Sequence, residues 1–267
     1  MMTSLRDFEY AGWQTAAEHY EPFAALTRLF VEPLLDAVEA RSGTQLLDIA
    51  CGTGVVSQRA IARGAATHGI DFAPNMVATA RHRCPEAEIL QADAEALPFA
   101  DARFDAVVSN FGIHHVEHPD RALSEARRVL KPGAPFALTL WASAKDNPTW
   151  RLIAGAVAAE GQSSVPMPAG NIANTSPEQF IRLATAAGFS PDRIEQRTLD
   201  VLWRLPAGTD LVDVFMGSTV RMATLLRGQS PDAQRAIRAH VARAIEPYAR
   251  GGEIALPTRG YLLSARA

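Results

Sequence analysis

The feature that most constrains the fold is a short apolar run that ends in a glycine turn and continues as a helix. The run spans residues 45–50, the turn is Cys51-Gly52-Thr53-Gly54, and helical spacing of apolar residues begins at about Val55. Alternating strand and helix patterns then continue as far as residue 142. Such alternation predicts a parallel sheet with helices packed on both of its faces.

The other predicted elements extend this unit in both directions along the chain. Two amphipathic helices, broken near Pro33, are predicted before the first strand, and two helices are predicted between the last two strands. Residues 161–175, which are rich in Gly, Pro, Ser and Asn, are predicted to form a long surface loop. Further strands are predicted to end at Asp71, to span 88–91, 104–109 and 134–142, and to lie near 194–202 and 261–264; further helices are predicted at 74–83, 119–130 and 176–188.

Composition and charge argue against several classes of protein. The formal net charge is −3, and the chain has no basic run of the kind that binds a phosphate backbone, so no nucleic-acid partner is predicted. No uninterrupted apolar stretch approaches the roughly 20 residues that span a bilayer, and the first ten residues do not resemble a secretory signal. Two cysteines, Cys51 and Cys84, provide no disulfide framework and no paired-cysteine metal spacing. A cytoplasmic protein with no membrane or metal partner is therefore expected.

Glycine and aspartate residues stand where the predicted strands end, which is where open α/β sheets bind ligands. Gly52 and Gly54 allow positive φ and leave no side chain between the backbone and a ligand. Asp71 follows the second strand, where a carboxylate can accept both hydroxyls of a ribose, and Asp93 follows the third, where it can meet the amine of an adenine. Singly, these residues also fit a tight connection, a helix cap and a turn. Together and in this order they favour a nucleoside site.

Five stretches resemble the motifs of the class I S-adenosylmethionine-dependent methyltransferases, in the type 11 branch that includes the ubiquinone and menaquinone C-methyltransferases. The resemblance covers roughly residues 13–142, and the rest of the chain is similar only in its order of elements. The five stretches are Leu46-Leu47-Asp48-Ile49-Ala50-Cys51-Gly52-Thr53-Gly54, Gly69-Ile70-Asp71-Phe72-Ala73-Pro74-Asn75-Met76, Asp93-Ala94-Glu95-Ala96-Leu97-Pro98-Phe99, Phe104-Asp105-Ala106-Val107-Val108-Ser109-Asn110 and Arg128-Val129-Leu130-Lys131-Pro132-Gly133-Ala134.

The resemblance implies an α/β fold, a Rossmann-like three-layer sandwich. Its mostly parallel seven-stranded sheet has a reversed last strand, with N-terminal helices and an inserted helical lid. We expect a single methyltransferase domain over residues 1–267. Its expected parts are an N-terminal helical cover (1–44), a cofactor-binding core (45–142), a loop, helix and strand that complete the sheet (143–207), the lid (208–253) and the last strand (254–267).

Ten residues match positions that bind S-adenosylmethionine in the family. Those implied beside the methionine end are Asp48, Ala50, Gly52 and Asn110; those implied around the ribose and adenine are Asp71, Phe72, Met76, Asp93 and Ala94; Tyr20 matches a tyrosine of the N-terminal helix that closes over the cofactor. Cys51 stands where some relatives have a second glycine. We interpret it as a small packing residue and not as a nucleophile.

Methyl transfer from a sulfonium is an in-line displacement that benefits from alignment and from a water-poor cavity. Such a reaction can proceed without an acid or base. If the acceptor must lose a proton, a base helps, and His114 is the predicted catalytic residue with its neighbour His115 as a second candidate. Histidines at these positions also fit packing or capping roles. Residues that can line an acceptor pocket or pack in the core are Trp13, Phe215, Met216 and Met222.

The predicted function is therefore transfer of a methyl group to a small-molecule acceptor, with two alternatives. A nicotinamide-dependent oxidoreductase would also use a glycine turn and an acidic residue, but its fingerprint requires a third glycine where Ser57 stands. A non-catalytic module that only binds S-adenosylmethionine would carry the same motifs as an enzyme. No motif specifies the acceptor, the methylated atom or the oligomeric state.

Overall fold

The computed structural model describes residues 4–162, 165–168 and 176–267. Its strands are β1 Gln45–Ile49, β2 Ala66–Asp71, β3 Glu88–Gln91, β4 Ala106–Asn110, β5 Pro135–Trp141, β6 Glu195–Pro206, β7 Ala249–Arg250 and β8 Glu253–Arg266. They form one sheet in the order β3-β2-β1-β4-β5-β8-β6, and the short β7 pairs with β8. The pairs among β1 to β5 are parallel, whereas β8 is antiparallel to both β5 and β6. The predicted mostly parallel sheet with a reversed last strand is confirmed.

Helices cover both faces of the sheet. They are α1 Leu5–Ala16, α2 Glu21–Arg28, α3 Val31–Ala37, α4 Val55–Ala62, α5 Pro74–Arg83, α6 Pro119–Val129, α7 Pro148–Glu160, α8 Pro177–Ala186, α9 Leu211–Ser218, α10 Arg221–Arg227 and α11 Pro231–Ile245. In β4, Val107 packs with α6 and α8 on one face, while Ala106 and Val108 pack with α3 and α4 on the other. Because both faces of β4 are covered, the consecutive residues Ala106, Val107 and Val108 are all apolar.

Several predicted helix boundaries coincide with the capping residues that the sequence provides. Pro74 is the first residue of α5, as its fixed φ favours. The Ser176 hydroxyl accepts a hydrogen bond from the Gln179 amide at 3.3 Å and so caps α8. Gly188, just after α8, adopts a φ of +94°, a conformation in which glycine is favoured. These predictions are confirmed.

The N-terminal segment differs from its prediction. Three helices, α1 to α3, precede β1 instead of two, with a 3₁₀ turn between the first two. The chain breaks at Leu29 and Phe30, and Pro33 lies inside the first turn of α3. Proline is tolerated there because the first amides of a helix have no intrahelical acceptor, so the missing N–H costs no helical hydrogen bond.

The segment after β5 also departs from the prediction. The helix α7 was not predicted, although Asn147 caps it by accepting from the Thr149 amide at 3.1 Å and Pro148 opens it. Three helices, α9 to α11, lie between β6 and β8 instead of two. The strand β8 spans Glu253–Arg266, close to the range expected for the last strand (254–267) and longer than the pattern near 261–264, because β6 and β8 continue as a long antiparallel ribbon beyond β5.

The predicted loop of residues 161–175 falls partly outside the described residues, since 163–164 and 169–175 are not among them. None of the helices that the structure describes is both long enough and apolar enough to cross a bilayer.

Candidate active site

A narrow cavity of about 80 Å³ lies where β1, β2 and β4 end, and we call it the first cavity. Nine of the ten residues predicted at the cofactor site line it, namely Tyr20, Ala50, Gly52, Asp71, Phe72, Met76, Asp93, Ala94 and Asn110. The tenth, Asp48, is fully buried in β1 and does not reach the cavity wall. The parallel register of β1 with β2 and β4 brings these strand ends to one edge of the sheet.

The glycine turn after β1 forms one wall of the first cavity. Ala50, Gly52 and Gly54 all have positive φ, at +55°, +53° and +82°. A Cβ built on Gly52 would meet no atom within 4 Å, whereas one on Gly54 would lie 3.0 Å from the Cys84 sulfur. Gly54 is therefore needed for close packing against α5, and Gly52 leaves the backbone open to a ligand.

Two buried carboxylates lie close to this turn: Asp71 contacts it directly, and Asp48 contacts the helix α4 that follows it. Asp71 accepts hydrogen bonds from the amides of Gly52 and Ala73, both at 2.9 Å, and burial raises its pKa to about 6. Asp48 accepts from the Ser57 hydroxyl at 2.7 Å, and its other oxygen has no partner. Burial raises the pKa of Asp48 to about 7, so the ionised form is costly at this position.

The edge of the first cavity near β3 is occupied by an ion pair. Arg6, on α1, donates a hydrogen bond to one carboxylate oxygen of Asp93, while the other oxygen accepts from the Glu95 amide at 2.9 Å. Arg6 was not predicted at this site. It follows no motif, and only the folding of α1 across the strand ends brings it there.

A second, wider cavity of about 790 Å³ lies beside the first and shares Trp13 and His115 with it. Its aromatic lining residues are Trp13, Phe23, Trp141, Trp150, Phe215 and Tyr261. Trp141 stacks on Phe111 with 3.5 Å between ring centroids and on Trp150 with 4.6 Å between them. Among the predicted pocket residues, Met222 also lines this cavity, whereas Met216 lies in a groove between α1 and α9.

Both candidate histidines line the second cavity, on a 3₁₀ turn after β4, but their surroundings differ. His114 is 7% exposed and its Nδ1 has no hydrogen-bond partner. Burial, reinforced by the nearby His115, holds the pKa of His114 well below its ordinary value. The Nδ1 atom of His115 lies 3.2 Å from a carboxylate oxygen of Glu9. Of the two histidines, only His115 lines both cavities.

Glu9 is the second functional candidate that the motifs did not reveal. A signal was present, because Leu5, Glu9 and Trp13 recur at intervals of four and so share one face of α1. A carboxylate in the middle of a buried helix face requires a partner. The partner in this case is more than a hundred residues away in the chain, which no local pattern reveals.

Cys51 and Ser57 bear on two alternatives from the sequence, a nucleophilic cysteine and a nicotinamide-dependent oxidoreductase. Burial raises the pKa of the Cys51 thiol, in keeping with a packing residue. Ser57 is fully buried and is used by Asp48, so the position of the third glycine carries a side chain with a structural contact. Among residues 4–162, 165–168 and 176–267, no group of three His, Cys, Asp or Glu side chains is arranged to hold a metal ion.

Comparisons with known proteins agree with this geometry. A family described as "Methyltransferase domain" matches residues 47–138. The demethylmenaquinone methyltransferase of Renibacterium salmoninarum is 32% identical over 179 residues, which cover 66% of this chain and 73% of the relative. The malonyl-[acyl-carrier protein] O-methyltransferase of Enterobacter lignolyticus is 33% identical over 133 residues, or 50% and 53% of the two chains.

A solved structure shows the same fold at low sequence identity. The phosphoethanolamine N-methyltransferase 2 of Haemonchus contortus, in complex with S-adenosyl-L-methionine, matches 99% of this chain and 60% of its own. The TM-score is 0.58 and the identity 20%. The sheet order and the cavity at its carboxyl edge thus define a Rossmann-like enzyme that binds a nucleoside cofactor.

The chain belongs to the methyltransferase domain family and is an S-adenosylmethionine-dependent methyltransferase. Two features of the first cavity suit this cofactor chemically: the open turn at Gly52 offers a backbone approach, and the buried carboxylate of Asp71 offers a hydrogen-bond acceptor for a diol. The names of the two relatives give different acceptors, so membership of the family does not fix the acceptor.

Proposed function

We propose that this enzyme transfers a methyl group to a small, flat and largely apolar acceptor that is bound in the second cavity. The observation that carries the proposal is the junction of the two cavities at Trp13 and His115. A methyl group presented from the first cavity would enter the second at this junction. The demethylmenaquinone methyltransferase of Renibacterium salmoninarum, of which this chain covers 73%, acts by its name on demethylmenaquinone, which agrees with an apolar acceptor.

The ten predicted residues are proposed to hold the cofactor, whose sulfonium supplies the methyl group. The carboxylate of Asp71 accepts hydrogen bonds from the ribose hydroxyls, and the carboxylate of Asp93 accepts one from the adenine amine. The turn residues Ala50 and Gly52 present their backbone to the methionine end. The side chains proposed to enclose the cofactor are Tyr20, Phe72, Met76 and Ala94. Asp48 and Asn110 act as supports: the Asn110 amide donates to the Thr27 carbonyl at 3.1 Å and accepts from the Thr139 hydroxyl at 2.7 Å.

The walls of the second cavity favour a planar acceptor. Trp141 and Trp150, which stack on each other, offer an extended aromatic surface, and aromatic rings gain from offset or edge contacts with other rings. Trp150 also meets Phe215 of α9 edge to face at 5.2 Å between centroids. The inserted helices α9 and α10 are therefore proposed to act as a lid that contributes to acceptor choice.

A transfer assay tests the proposal. The enzyme is incubated with S-adenosylmethionine carrying a labelled methyl group and with matched acceptors: a reduced naphthoquinone, a simple phenol, an aliphatic amine and a fatty acid. We expect label in the ring-bearing acceptors and little in the amine or the acid. Transfer only to the amine or the acid, or to none of the four while S-adenosylhomocysteine still binds, would contradict the proposed acceptor class.

A further inference from the structure

Glu9 is a charged residue in an enclosed position on α1. Its side chain is 0% exposed, and it contacts groups from three different segments. The Trp13 indole donates to Oε2 at 3.1 Å, His115 Nδ1 lies 3.2 Å from the same oxygen, and Arg221 Nε lies 3.3 Å from Oε1. Burying a carboxylate is costly unless its contacts repay the loss of water. Packing alone does not account for a glutamate here.

The contact with Glu9 determines the state of the His115 ring. When Glu9 is ionised it can only accept hydrogen bonds, and Nδ1 of His115 then carries the proton and donates it to Glu9. The neutral ring then has its lone pair on Nε2, which has no hydrogen-bond partner among the described residues. The His115 side chain is 21% exposed, and it faces the junction of the two cavities. The His115 ring thus borders the place where acceptor and methyl group would meet.

We infer that Glu9 and His115 form a carboxylate–imidazole pair, in which His115 Nε2 removes a proton from the acceptor and Glu9 is a positioning residue. The inference rests on the proposed function and deepens it, since it implies an acceptor with an ionisable O–H or C–H group. The proton passes to Nε2, and the acceptor's freed electron pair forms the bond to the methyl carbon. The methyl–sulfur bond breaks with its electrons remaining on sulfur, so atoms and charge balance.

Two structural facts favour His115 over its neighbour as the base. The pKa of His114 lies well below the ordinary histidine value because of burial, so its nitrogen binds a proton weakly. His114 also has no carboxylate partner, and its Nδ1 makes no hydrogen bond. In contrast, a carboxylate on one ring nitrogen orients the ring and stabilises the charge that develops when the other nitrogen takes a proton. The prediction of His114 as the base remains open to the same experiment.

The electrostatic surroundings of His115 come from several elements. Glu9 is on α1, Arg221 on α10 compensates Glu9 from its other side, and the His114 ring centroid is 4.2 Å away. Asp71 lies near enough to His115 for the charges of the two side chains to interact. The other charged residues that line the first cavity with His115 are Arg6, Asp93, Glu95 and Glu117. Glu9 is the one acidic group among these that contacts a nitrogen of the ring.

The first test measures the protonation of the His115 ring by NMR spectroscopy and requires no methyl acceptor. Protein labelled with ¹⁵N in its histidines is saturated with S-adenosylhomocysteine, and long-range ¹H–¹⁵N spectra are recorded against pH, with His115→Gln used for assignment. We expect the Nδ1–H tautomer for neutral His115. In Glu9→Gln the protonated ring should deprotonate at lower pH, because the carboxylate that stabilises it is gone. The matched control is Glu18→Gln, which removes the same charge from an exposed position two residues before Tyr20.

The outcomes of this test are distinct. An Nε2–H tautomer, or a titration of His115 that is the same in Glu9→Gln and in Glu18→Gln, would overturn the inference. If circular dichroism shows that Glu9→Gln does not fold because Arg221 has lost its carboxylate partner, a double variant is used in its place. That variant, Glu9→Gln/Arg221→Met, removes both charges. In the double variant the shift of the His115 titration is expected in the same direction but smaller, because Arg221→Met also removes a positive charge near the ring.

The second test measures turnover with whichever acceptor of the panel is methylated. His115→Gln should lower kcat by about a hundredfold or more, and Glu9→Gln by about tenfold with the acidic limb of its pH profile moved to lower pH. His114→Gln and Glu18→Gln should each lower kcat less than Glu9→Gln. Full turnover in His115→Gln would overturn the inference. A panel with no methylated acceptor contradicts the proposed function instead, and the ring spectra then decide the inference alone.

Discussion

The two cavities differ in how the chain builds them. The first is narrow, and most of its lining comes from strand ends between residues 50 and 117, with polar groups at fixed places. The second is wide, aromatic, and assembled from segments spread between residues 13 and 261. Among the described residues, the three buried carboxylates, Glu9, Asp48 and Asp71, all lie near the first cavity or its junction with the second. We interpret the difference as one of recognition. The first cavity recognises a single cofactor through fixed polar contacts, whereas the second selects an acceptor by its shape and apolar surface.

The largest effect is expected at the first cavity. Asp71→Ala should weaken S-adenosylhomocysteine by roughly 1.5–3 kcal/mol, or about ten- to a hundredfold, because two ribose hydroxyls would lose a charged acceptor. Calorimetry on the folded variant measures this loss. Asp71 also holds the amides of Gly52 and Ala73, so Asp71→Asn, which keeps a carbonyl acceptor, separates the ligand contact from support of the turn. Unchanged affinity in Asp71→Ala would end the assignment.

The buried carboxylate of Asp48, close to the first cavity, should also make the folded protein less stable at high pH. The pKa of Asp48 is raised to about 7 by burial, so the folded state holds a proton that the unfolded state has lost, and folding weakens as pH rises toward 7. Asp48→Asn does not titrate. Its stability relative to the natural protein should therefore increase by about 2.5 kcal/mol between pH 5 and pH 8. Urea unfolding at both pH values, without cofactor, measures the change, and parallel pH dependences would refute it.

A pair of identical substitutions compares the two cavities directly. Met76 lines the first cavity and Met222 the second. Met76→Ala should weaken the cofactor by about 1 kcal/mol, or several-fold, through lost apolar contact, and leave the order of preferred acceptors unchanged. Met222→Ala should alter the KM values of acceptors by a similar factor and leave cofactor affinity unchanged. Calorimetry and the acceptor panel give both readouts. If both variants affect the same ligand, the cavities do not divide the work as proposed.

The same contrast explains what could be predicted from the sequence. The positions of Asp71 and Asp93 at strand ends could be predicted because a strand, a turn and a helix are local patterns in the sequence. The helix α7 was missed although Asn147 and Pro148 mark its start, because its apolar face packs against α11, far along the chain. The contact between Glu9 and His115 joins residues 106 positions apart. Such contacts depend on how α1 and the inserted helices pack, which no local pattern specifies.

The smallest effect concerns Arg6, where α1 reaches into the first cavity. Arg6 is 48% exposed and pairs with Asp93, whose side chain is 30% exposed, and pairs of this kind contribute about 0–1 kcal/mol. If Asp93 accepts the adenine amine, Arg6 competes with the cofactor for the same carboxylate. Arg6→Ala should therefore strengthen S-adenosylhomocysteine binding by a few-fold and leave the Tm nearly unchanged.

Salt dependence makes this last expectation specific. Raising the ionic strength screens the exposed pair, so the affinity of the natural protein should approach that of Arg6→Ala as salt is added. Arg28→Ala is the matched control, since Arg28 is also 48% exposed and pairs with Glu21 at 3.1 Å on α2. It should show neither the gain nor the convergence. Weaker binding in Arg6→Ala would mean that Arg6 contacts the cofactor itself, and the first cavity would then include a group from α1 that no strand-end motif encodes.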